Sequence, residues 1–141
     1  MDASALAPRH RLDAMRGPLL ELHRALLEGE RRAYEQANGR VAPNELLKLA
    51  LEHDQFAWLH PLAALIVRVD ELLAGDQDPT EGDVAVIARE VRRRIRVSEH
   101  GTVSEQLYDR AIQNDPAVLL AYRQVMQALP DVGDEEKEPN A

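Results

Sequence analysis

Residues 56–73 read Phe56-Ala57-Trp58-Leu59-His60-Pro61-Leu62-Ala63-Ala64-Leu65-Ile66-Val67-Arg68-Val69-Asp70-Glu71-Leu72-Leu73. The stretch holds the only Phe and the only Trp of the 141 residues. Pro61 suits the first turn of a helix, where its missing N–H costs no hydrogen bond. Leu62, Leu65, Ile66, Val69, Leu72 and Leu73 then fall within a face roughly 100° wide at about 100° per residue. Ala63 and Ala64 thin the adjoining surface enough for a neighbouring helix to approach closely. This is the expected central helix, and it places the core.

Upstream, Pro8 suits the first turn of a helix whose pattern runs to about Ala37. Gly17-Pro18 interrupts that pattern, because Pro18 lacks an amide donor and disfavours helical geometry at Gly17, so a kink or break is expected there. The second piece sets Leu19, Leu22, Leu26 and Ala33 on one face, widened by Leu20, Leu27 and Tyr34. Asn38-Gly39 closes it. After Pro43 a short helix from Asn44 carries Leu46, Leu47, Leu49, Ala50 and Leu51, ending near His53-Asp54-Gln55.

Downstream, Gly75-Asp76-Gln77-Asp78-Pro79 is a turn, and Asp78 or Thr80 caps the next helix with an acidic residue three positions on. Its stripe is Val84, Ile87, Ala88, Val91 and Ile95. Ser98-Glu99-His100-Gly101 ends it. Thr102 restarts a helix with Val103, Leu107, Ala111 and Ile112 inward. Asp115-Pro116 caps and opens the last helix, with Val118, Ala121, Tyr122, Val125 and Leu129 inward. The expectation is an all-α, single-domain bundle of about six helices over residues 9–130. A frayed stretch (1–8) precedes it and a disordered acidic tail (131–141) follows.

Composition agrees with this class and removes others. Apolar residues make up 45% and aromatics only 4%, which favours helix over strand. The absence of Cys excludes disulfides, thiolate metal sites and a Cys nucleophile. Arg68, Asp70 and Glu71 interrupt the longest apolar run, so nothing reaches the ~18–20 residues that span a bilayer. The N-terminus lacks the basic start and apolar block of a secretory signal, and cytoplasmic residence in a bacterium is the expectation. The net charge of −8 argues against nucleic acid. Five acidic residues against Lys137 after Pro130 supply −4 of it.

Four constellations bear on chemistry. No His follows a Glu by three residues, as ferritin-like carboxylate sites require, and no His pair stands at i,i+4. His23, His53, Asp54 and His60 could meet in space; a satisfied or solvated role is the commoner fate of such histidines, and neither metal nor cofactor is expected. Ser98, Glu99 and His100 are neighbours at a helix end, which reads as termination and not as a catalytic triad. No glycine-rich phosphate loop exists, and no catalytic residue is expected.

Arg89, Arg92, Arg93 and Arg96 form the strongest polar signal, a continuous flank roughly 80–180° from Val84 on one helix. Such a flank either pairs with acidic neighbours or binds an anionic ligand bidentately, and the acidic tail could cover it. The missing aromatics on that helix count against base stacking. Asp70, at the edge of the central apolar face, calls for an ion-pair partner such as Arg24, Arg31 or Arg32. Phe56 and Trp58 either plug the core or anchor an interface.

The runs Leu46-Leu47-Lys48-Leu49, Phe56-Ala57-Trp58-Leu59-His60-Pro61-Leu62 and Leu65-Ile66-Val67-Arg68-Val69-Asp70-Glu71, with Arg31-Arg32-Ala33-Tyr34-Glu35 upstream, resemble a segment shared by small uncharacterised bacterial helical proteins. The resemblance spans residues 19–74. It implies a helical domain and carries no catalytic residue. The functional expectation is a non-enzymatic protein acting by protein–protein contact, as a homodimer or with a partner protein. The alternative is an anion-binding module on the Arg flank.

Overall fold

The computed structural model describes residues 7–130, and the expectations for the tail and for residues 1–6 lie outside them. Six helices appear among these residues, without a strand: α1 (Pro8–Asn38), α2 (Pro43–Glu52), α3 (His60–Ala74), α4 (Glu81–Arg94), α5 (Val103–Asn114) and α6 (Pro116–Ala128). A 3₁₀ segment, Asp54–Leu59, joins α2 to α3. The protein is an all-α helical bundle. No helix of the described residues is long and apolar enough to cross a membrane.

α1 is the axis. It packs along α6, α3, α4 and the 3₁₀ segment, while α5 leans on α6 and α2 on the 3₁₀ segment. Of the kink or break expected at Gly17-Pro18, the break does not occur: α1 is one helix with Pro18 inside it. An interior proline costs a helix about 3 kcal/mol. Leu12, Met15, Leu19, Leu22 and Leu26, on both sides of Pro18, are all buried in one stripe. Each such side chain contributes about 1.5–3 kcal/mol when covered, so the stripe outweighs the proline.

Local signals set the ends. Gly39, at φ +88°, closes α1, its N–H donating to the Glu35 carbonyl at 2.8 Å. Thr80–Asp83 and Thr102–Glu105 form reciprocal capping boxes that start α4 and α5. Asp115 caps α6 by accepting from the Ala117 N–H. Three arginines of α1 fasten the α3–α4 connection: Arg9 donates to the Leu73 carbonyl at 2.6 Å, Arg11 pairs with Glu81, and Arg16 with Asp70.

Three inward assignments change, the exposed Leu20 of α1 among them. Val103 is 75% exposed, and Tyr108 is the α5 residue buried in the core. Tyr108 lies about 140° round the helix from Val103. Its ring meets Trp58 edge-on at 5.1 Å, and that contact rotates α5 away from the expected phase. Ala33, expected on the α1 core face, is exposed.

Candidate functional site

The Arg flank is largely engaged within the bundle. Arg92 donates to the Pro130 carbonyl at 2.8 Å, so the chain leaves the described residues from this flank. Glu90 sits between Arg93 (3.4 Å) and Arg94 (3.5 Å). Arg89 also has a partner. Arg96 lies beyond the end of α4 and is exposed. Among the described residues, Arg92 and Arg93 thus have partners in the bundle, and Arg96 projects past the helix end.

Asp70 has an ion-pair partner on α1, but it is Arg16. α1 and α3 run antiparallel, which sets Asp70 opposite Arg16, more than a turn short of the arginines expected. Those arginines are occupied elsewhere: Arg24 by Glu21, Arg31 by Glu28 and Glu35, and Arg32 by Asp115. The hydrogen bond to Asp70, then its charge, raises the Arg16 pKa above its ordinary value.

Phe56 and Trp58 part company. Phe56 is 0% exposed and lies beside Tyr34 and His53, as a core residue does. Trp58 is half-buried, its ring against Tyr108 and one edge open to a cleft of about 490 Å³ between α1 and α5. Of the histidines, His23 and His60 share one groove, and among the described residues no group of three or more metal-ligating side chains occurs. His53 Nδ1 accepts from the Gln55 N–H, and His60 Nε2 lies 2.8 Å from the Ala50 carbonyl. Ser98 Oγ accepts from the His100 N–H, as a helix-ending turn requires.

What sequence reasoning missed is the face around α2. No residue of this helix is buried; Leu47 is 62% and Leu51 66% exposed. Both border an apolar groove of about 300 Å³ whose other walls include Leu27 of α1, Phe56 and Leu59 of the 3₁₀ segment, and Ala63 of α3. Helical spacing extends the face by Leu20, one turn before His23, and by the 56%-exposed Val67, one turn after Ala63. His23 and His60 are the only titratable groups among the eleven residues that line the groove. Burial lowers the His23 pKa below its ordinary 6.5, so its ring stays neutral. The available signal was the width of the α2 apolar arc: Leu46 and Ala50 occupy one side, while Leu47 and Leu51 stand about 100° round from them. Comparison of the chain with protein-family models, with curated proteins and with solved structures gave no match.

Proposed function

We propose that this protein is a non-enzymatic helical module that works by self-association, two copies meeting through the α1–α2–α3 apolar face. The observation that carries the reading is the pair of projecting leucines, Leu47 and Leu51, beside an apolar groove on the same face. A two-fold axis through such a face seats each copy's leucines on the other copy's groove, which is the self-complementarity of an isologous dimer. Exposed apolar surface of this continuity marks interaction sites in monomers.

Charge favours a second copy in this place. A chain of net charge −8 repels itself over most of its surface. The groove carries no acidic or basic side chain other than its two histidines, so like-charge contact is smallest where the apolar surface is largest. Native mass by light scattering over a dilution series is the test. Twice 15.8 kDa at high concentration, falling on dilution, is the expected result. A mass of 15.8 kDa at every concentration refutes the reading.

A further inference from the structure

A second concavity lies on the other side of α1 from the α2 groove. Ala25, Gly29 and Ala33 follow one another at four-residue spacing, a row of small side chains flanked by Leu26, Arg32 and Gln36. α5 rests on α6 and packs little on α1. The space left between α1 and α5 is the cleft of about 490 Å³, with Leu26, Trp58 and Val118 among its apolar lining. That volume falls in the range of small-molecule sites, which pair an apolar lining with a few polar groups.

The polar groups of the cleft are not equivalent. Asp115 is doubly engaged, by Arg32 at 3.0 Å and by the Ala117 N–H it caps. Glu30 accepts from the Gln55 side chain at 2.7 Å. Asp115 is thus ion-paired within the protein, while Glu30 is held by a neutral amide and keeps its charge at one end of the cleft. The Arg110 guanidinium, the Asn114 amide and the Trp58 indole N–H border the same cleft, and none has a hydrogen-bond or ion-pair partner among the described residues. The cleft therefore combines an apolar lining with uncommitted donors, one of them the cation of Arg110, which stands exposed at its rim.

We propose that the α1–α5 cleft binds an amphipathic monocarboxylate, its apolar body against Trp58 and Leu26 and its carboxylate on Arg110. Guanidinium matches a carboxylate in both charge and fork geometry, and a low-polarity floor strengthens the pairing. The site uses neither the α2 face nor a second copy, so it stands or falls independently of self-association.

Trp58 is the only tryptophan, so the protein's tryptophan emission comes from the wall of this cleft. The probe is octanoate, with octanol as the uncharged control at equal ionic strength. Octanoate shifts Trp58 emission saturably, and octanol binds at least about tenfold more weakly. Arg110→Gln brings octanoate down to the level of octanol. Ala33→Phe, at an exposed helix position, fills the cleft and removes both responses while the thermal melt stays unchanged. Leu47→Gln/Leu51→Gln leaves the octanoate response intact. An emission unmoved by octanoate up to about 10 mM, equal response to octanol, or a full response in Ala33→Phe would overturn the proposal.

Discussion

The double substitution Leu47→Gln/Leu51→Gln separates association from folding. Full burial of a leucine side chain contributes about 1.5–3 kcal/mol. With 62% and 66% of these residues still in water, covering each one recovers about 1–2 kcal/mol. A symmetric interface uses both leucines of both copies, so the four together supply about 4–8 kcal/mol. Removing them weakens the dimer by a factor of roughly 10³ or more. The monomer responds differently. Both side chains are largely solvated there, Gln keeps leucine's approximate length and helix propensity, and surface substitutions of this kind stay within about 0.5 kcal/mol. Sedimentation equilibrium reads the first quantity, and urea denaturation of the dilute protein reads the second. A variant that keeps the wild-type mass at matched concentration refutes the interface. A variant that loses more than about 2 kcal/mol as a monomer refutes the assignment of these leucines as uncovered.

Three further expectations follow from the packing. Pro18→Ala restores a hydrogen bond to the Ala14 carbonyl inside an unbroken α1, and should stabilise the fold by about 2 kcal/mol once the entropy lost from the unfolded chain is subtracted; a lower melting temperature would mean that the ring itself is needed. Burial depresses the His23 pKa in the native state, so below about pH 6.5 the unfolded chain binds a proton that the native ring refuses. Stability is complete above that pH, falls as pH drops through it, and levels off once the native ring also titrates. His23→Leu should flatten this part of the profile. Tyr122→Phe removes the hydroxyl that donates to the Ile95 carbonyl at 3.0 Å, just past the end of α4. The expected cost, by urea titration, is about 1 kcal/mol.

Much of the architecture was legible because helices announce themselves locally. The stops at Gly39 and His53, the caps at Thr80, Thr102 and Asp115, and the stripes of α3, α4 and α6 depend on residues within a few positions of each other. Pro18 misled for the same reason. Its cost is local, but the buried stripe that overrides it draws on α3, α4 and α6. Trp58 and Phe56, two residues apart, were one pair in sequence, core plug or interface anchor; the 3₁₀ turn sends Phe56 into the core and Trp58 to the edge of a cleft.

The candidate sites were far less legible. An arginine flank can be counted along a helix, yet whether it is already occupied depends on where Glu90 and the Pro130 carbonyl lie. Asp70 showed its need for a cation without showing which one, since Arg16 is selected by the antiparallel offset of α1 and α3. Leu47 and Leu51 are ordinary helix leucines in sequence; their exposure follows from α2 being held mainly by the 3₁₀ segment, with nothing laid over its outer side.

By itself, then, the sequence determined the helices, their ends and most of the inward residues, because hydrogen-bond spacing and apolar periodicity are properties of a single segment. Only the tertiary structure decided which apolar residues remain uncovered, which charges are already paired and where cleft space remains, because each of these depends on the distance between segments far apart in the chain.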